Sequence, residues 1–213
     1  MNFDEFNEKY KNIPEIKNLK MLKEIHMNMR IEFMPNELDF RGNKFMDWPI
    51  NETRGNNKYD PPLGWIGIGL KVIDKYDSGN NTWIGKNNSK GEWAVAYHPI
   101  EYARNSEETK RILEMILRRG FLRGCKQVHR DCEDKNHPGK KVGEGVYFIS
   151  SIKIAEMYAG ITQINGKNYK IILMVRFNPN SFIRKCKCLG DERFVIDGNS
   201  DEVRAYRILF KAT

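Results

Sequence analysis

The sequence predicts a strand-rich α+β domain with few, short helices. Three apolar runs carry that reading, "EWAVAYH", "GVYFIS" and "YKIILMVRFNP". Each is too short for a helix and is bounded by Gly, Ser or Pro, as a buried strand is. Beside them, only two segments after residue 62 have a clear helical pattern.

The chain has 213 residues, enough for one sizeable core. Its 40% hydrophobic and 11% aromatic content is that of a globular protein, not a disordered one. No apolar run approaches the ~18 residues of a membrane span, and "MNFDEFNEKYKN" has neither a signal-peptide core nor an Arg-rich transit pattern. The expected address is cytoplasmic, with no membrane partner. In that setting Cys125, Cys132, Cys186 and Cys188 read as reduced thiols. The net charge of +8 is spread along the chain, which suits a solvated lysine surface or an acidic partner. No basic stripe with interleaved aromatics stands out, so specific nucleic-acid recognition is not expected.

Residues 1–35 place Leu19, Met21, Leu22, Ile25, Met29 and Ile31 near helical spacing, and predict one or two amphipathic helices. The following stretch, through "NETRGNNKYDPPLGW", is rich in Asn, Gly and Pro and reads as irregular chain. A boundary near residue 62 therefore separates an N-terminal extension, 1–62, from a domain, 63–213. "GWIGIGLKVIDKY" could open a strand or a helix, and its periodicity does not choose. "EWAVAYH" is a strand that delivers His98 and stops at Pro99.

"SEETKRILEMILRRG" is a helix. Ser106 suits the N-cap, Thr109 sits where a capping partner belongs, Glu107 and Glu108 favour the positive end, and Arg118, Arg119 and Gly120 favour the other. Ile112, Leu113, Ile116 and Leu117 form its inner face. A polar loop leads to "GVYFIS"; then "SIKIAEMYAG" forms a short helix with Ile154, Ala155 and Tyr158 on one side. "YKIILMVRFNP", "RFVID" and "VRAYRILFK" complete the strands, the last two separated by the turn at 197–200.

His98 at a strand end, a helix ending "RRGF", then Gly-x-Gly-Val-Tyr-Phe at 143–148 with Ala155 and Tyr158 beyond it, resembles the catalytic domain of the PARP-like ADP-ribosyltransferases. The resemblance spans about 63–211 and is strongest to a branch from unicellular eukaryotes and fungi sharing "W-x-VAYH", "GVY" and "DE-x-R-x-YRIL". It implies an ADP-ribosyltransferase-like fold of two packed, mostly antiparallel sheets, preceded here by the N-terminal helices, and NAD as substrate. His98 would bind a ribose hydroxyl, Tyr147 and Tyr158 would sandwich nicotinamide, and Glu192 would steady the sugar, with Asp191 and Glu202 as alternatives. Such groups suit a reaction that builds positive charge on a sugar.

Two positions depart from the family pattern. The family's residue after the His is usually Gly, whose backbone holds the nicotinamide amide, and a Ser hydroxyl adds a third bond; here these are Pro99 and Ala155. Proline cannot donate and alanine has no hydroxyl. Losing two donors to one buried carbonyl costs about 1–3 kcal/mol each. The implied function is an ADP-ribosyltransferase-fold protein that, if active, transfers single ADP-ribose units with weakened nicotinamide recognition. The alternative is a catalytically silent structural or binding subunit of a large assembly, cytoskeletal or ciliary for example, with contacts through the N-terminal helices and the basic surface. A lesser alternative is a nucleotide or ADP-ribose binder using Arg123, Lys126 and Arg130. Cys125, His129, Cys132 and His137 offer four zinc-type ligands, but their spacing matches no established motif and a metal is not expected.

Overall fold

The computed structural model describes residues 38–45, 52–101, 106–122, 130–164, 166–187, 193–196 and 200–213. The N-terminal helices expected within 1–35 lie outside these residues, as does most of the 197–200 turn. Eleven strands are described: β1 (Leu38–Phe45), β2 (Glu52–Arg54), β3 (Asn57–Tyr59), β4 (Ile66–Leu70), β5 (Ala94–Pro99), β6 (Val146–Ile149), β7 (Ile161–Ile164), β8 (Lys167–Phe177), β9 (Ile183–Lys185), β10 (Arg193–Ile196) and β11 (Val203–Ala212). Two α-helices join them, α1 (Ser106–Arg119) and α2 (Ile152–Tyr158).

The strands form two antiparallel sheets of unequal size. The large one runs β1-β4-β11-β8-β5-β6-β10-β9, with β7 paired to β8 beside β5; the small one is the β2–β3 hairpin. The α+β class is thus the observed one. β8 explains the longest apolar run. Ile171, Leu173, Val175 and Phe177 enter one core cluster with Leu113, Ile116 and Leu117 of α1, while Ile172 and Met174 enter a second with Ile152 and Ala155 of α2. A strand buried on both faces has no polar alternation to keep. The undecided "GWIGIGL" resolves for the same reason, since every residue of β4 is buried.

The stretch read as irregular contains β1 and the β2–β3 hairpin. The missed signal is Gly55-Asn56, whose φ angles of 55° and 60° are those of the tight turn that matches strand twist. Tyr59 then packs into the α2-side cluster, and Asp60 caps α2 from far away in sequence: its Oδ2 accepts from the Ser151 hydroxyl (3.1 Å) and the Ile152 amide (3.0 Å). The Tyr97 hydroxyl donates to the Asp60 carbonyl, fixing the cap to β5.

Candidate functional site

Three of the expected site residues, His98, Pro99 and Tyr147, meet at a gap between two strands. β5 pairs with β8 over its whole length, but with β6 at Tyr97↔Ile149 alone. Alternation sends His98 to the α1 face, where its ring meets the edge of Phe121 at 4.9 Å. Tyr147 and α2 lie on the opposite face, so His98 and Tyr147 approach each other at the gap itself.

Hydrogen-bond register shows what Pro99 does there. The Ile100 amide donates to the Ile171 carbonyl of β8 at 3.1 Å. In an antiparallel ladder the neighbouring residue turns its amide the other way, so position 99 faces β6. Extending the register from Tyr97↔Ile149 by two residues sets Pro99 opposite Tyr147. An ordinary residue could donate to the Tyr147 carbonyl from that position; proline cannot. The His98 imidazole takes that carbonyl instead, with Nδ1 at 2.7 Å. A carbonyl only accepts, so Nδ1 carries the proton and the lone pair of the neutral ring sits on Nε2. Burial pushes the His98 pKa below its usual value, and the bond to Tyr147 opposes that shift without cancelling it.

The aromatic pair is placed on different supports. Tyr147 is 8% exposed, packs with Val142, Cys186 and Val195, and donates its hydroxyl to Gly143 at 2.5 Å. Tyr158, half-buried at the end of α2, rests on the cluster that contains Trp65, Tyr97 and Ala155. Ala155 is wholly buried, on the inner side of the helix. A hydroxyl at that position would enter the core.

The carboxylates divide. Asp191 and Glu192 lie outside the described residues. Glu202 precedes β11, where its carboxylate accepts from the Ser181 hydroxyl and its carbonyl from the Asn178 amide at 3.0 Å. Val203 pairs with Phe177 whereas His98 pairs with Leu173, a separation of roughly 13 Å along β8 at about 3.3 Å per residue. Glu202 therefore does not share the His98 gap.

In the loop before β6, Cys125, His129, Arg123 and Lys126 lie outside the described residues. Cys132 is disulfide-bonded, which corrects the reduced-thiol expectation for it; Cys186 is a buried thiol outside any disulfide. His137 contacts Asp134, with Nδ1 2.5 Å from a carboxylate that also accepts from the Asn136 and Lys185 amides at 3.0 Å each. Those bonds hold the Asp134 carboxyl below its usual pKa against the opposing effect of burial, and they dock the loop on β9. Among the described residues no three His, Cys, Asp or Glu side chains cluster as metal ligands. Arg130 is exposed beside Asp131 at 3.6 Å.

Sequence reasoning missed a buried polar centre around Arg176 and Glu92. Arg176, 2% exposed, donates to the Trp93 carbonyl (2.5 Å), the Gly85 carbonyl (2.6 Å) and Glu92 (3.4 Å). Glu92 in turn accepts from the Gly55 amide (3.2 Å) and the Asn88 amide (2.7 Å). "VRF" in a strand gives no hint that its arginine points inward. No helix of the described residues is long and apolar enough to cross a membrane. No family model matches the sequence, and no curated protein matches it.

Proposed function

We propose that this chain is a PARP-like ADP-ribosyltransferase-fold protein with a silenced nicotinamide site, acting as a binding or structural module. The observation that carries this reading is the missing amide donor at Pro99 in the β5–β6 gap. In the transferases the sequence resembles, the residue after the His presents its backbone to the nicotinamide amide. Here that position faces the same gap without an N–H, and the His98 ring is engaged with the Tyr147 carbonyl at 2.7 Å. Ala155, where a hydroxyl would add a third bond, is buried in the core. A cofactor carbonyl entering the gap would lose its water without gaining these donors, an unfavourable exchange.

One feature favours an active enzyme as the second reading. The Nε2 atom of His98 has no protein partner among the described residues and is an acceptor in the tautomer fixed by Tyr147. An acceptor there suits a ribose hydroxyl, and NAD would be the substrate.

Isothermal titration with NAD and with nicotinamide separates the two, run on the wild type, Pro99→Gly and Tyr158→Ala. The silenced reading expects no saturable heat from the wild type and recovered nicotinamide binding in Pro99→Gly. Wild-type binding that is lost in Tyr158→Ala would overturn it and leave the transferase reading in place.

A further inference from the structure

A cavity of about 140 Å³ lies between the end of β4, the last turn of α1 and the start of β11. Its wall contains Lys71, Lys75, Arg118, Arg119 and Arg204, and among the described residues no Asp or Glu. The five cations differ in how they are used. Arg204 is committed: Nη1 and Nη2 donate to Asp77 at 2.7 and 2.8 Å, and its guanidinium lies 4.2–5.1 Å from the ring centres of Tyr76, Trp83 and Trp93. It is a fixed wall whose charge Asp77 offsets. Lys75 gives one donor to the Leu117 carbonyl at 3.3 Å and sits 5.5 Å from the centre of the Tyr76 ring, with two ammonium protons not used by a protein acceptor among the described residues. Lys71, Arg118 and Arg119 are exposed and have no hydrogen bond or ion pair among the described residues.

The macrodipole alone would favour Arg118 and Arg119 at the C-terminal end of α1. It does not account for Lys71 and Lys75, which reach the same cavity from another segment. Nor does simple surface solubility, which is served by mixing charges of both signs rather than by collecting one sign in a concavity. With Arg204 offset, four positive side chains line one concavity with no acidic side chain in its wall among the described residues, and an anion entering it would relieve their mutual repulsion. The size limits what that anion is. Sites for drug-sized ligands occupy about 300–1,000 Å³; this space suits a single charged group.

We propose that the cavity binds a phosphate-class oxyanion, the phosphate or diphosphate group of a soluble small molecule, through Lys71, Lys75, Arg118 and Arg119. Phe121 both lines the cavity and touches the His98 ring, but the proposal rests on the four cations and does not depend on the reading given for the His98 gap.

The test is a titration of the full-length chain with inorganic pyrophosphate and, separately, inorganic phosphate, followed by amide chemical shifts and by calorimetry at two salt concentrations. The proposal expects saturable binding that weakens with salt, with shifts centred on Lys71–Val72 and Gly120–Phe121, and an affinity about tenfold lower in Arg118→Gln/Arg119→Gln. Tighter pyrophosphate than phosphate assigns a diphosphate group and equal affinity a single phosphate; both support the site. A control variant, Lys140→Gln/Lys153→Gln, removes two exposed cations elsewhere. Absence of saturable binding, or equal weakening in the control, would show only diffuse surface charge and overturn the proposal.

Discussion

The two ends of β5 hold polar groups in contrasting ways. At the Ala94 end, Arg176 and Glu92 form an ion pair in which both partners are nearly inaccessible and surrounded by backbone donors and acceptors. At the Pro99 end, the His98 ring makes one hydrogen bond among the described residues and keeps its second nitrogen. Both sit beside the same strand, β8. The difference teaches what each end is for. A centre whose hydrogen-bonding capacity is largely consumed within the fold organises chain, here the loop before β5 and the β2–β3 turn. A half-buried ring with spare capacity is where a ligand or a proton can act.

The largest effect separating the ends is expected from Arg176→Ala. It strands the Glu92 charge and leaves the Gly85 and Trp93 carbonyls without their donor, for a loss of about 3–5 kcal/mol in urea unfolding. His98→Ala, which removes one hydrogen bond at a half-buried site, is expected to cost about 1–2 kcal/mol. Equal losses would erase the contrast.

Gly55→Ala comes next, because the same centre fixes the hairpin turn. A Cβ at Gly55 would lie 2.6 Å from the Trp93 carbonyl carbon and 2.7 Å from the Ala94 nitrogen, at a φ of +55°. A loss of about 2–4 kcal/mol is expected in thermal unfolding. Gly166→Ala also has a positive φ, +75°, but open space around it, and is expected to cost only about 1 kcal/mol. If the two variants melt together, the packing of the turn against the strand at Glu92–Ala94 is not what makes Gly55 necessary.

These cases also mark what the sequence could convey. The apolar runs of β5, β6 and β8 were legible because burial writes itself as composition, and α1 because its inner face repeats at helical spacing. The β2–β3 hairpin was missed although Gly55-Asn56 announces it, because its strands are three residues each and too short for a periodicity. Nothing local reveals that Asp60 caps α2 or that Arg176 binds Glu92, since each partnership joins residues far apart in the chain. At the gap, the residue types were legible and their bonding was not. "HP" says that a donor is missing; only the register of β5 against β6 and β8 shows which carbonyl that donor would have served.

Acid provides a smaller but signed effect. The folded pKa of His98 lies below its usual value, so between that folded value and about 6.5 the unfolded chain binds more protons than the native one. Stability therefore rises with pH through this window and is lost as pH falls through the folded pKa. The wild type should lose more stability between pH 7 and pH 5 than His98→Gln does, measured as Tm against pH. The lowered carboxyls of Asp77 and Asp134 act in the same direction at lower pH, below the usual carboxylate value, so they do not mask the difference. Parallel curves for the two proteins would mean that His98 is not held neutral by its surroundings.

The smallest expected effect on stability, and the sharpest on the gap, is that of Pro99→Gly. The change adds backbone freedom to the unfolded chain and one N–H to the folded one, opposing contributions of about 1 kcal/mol each. Near-neutral stability is the expected result. The bonding in the ligand-free protein should nevertheless change, because the new amide faces β6 at the register position of Tyr147 and, until a ligand carbonyl replaces it, competes with His98 for that carbonyl. That bond is what raises the His98 pKa against burial. Its loss should move the His98 titration, followed through its ring proton, to lower pH, and the new amide at position 99 should exchange slowly with solvent. An unchanged titration with a fast-exchanging amide would mean that the strands are held apart by something other than the missing donor. Pro99 would then be a strand terminator, and the reading of a site silenced at that one position would lose its physical basis.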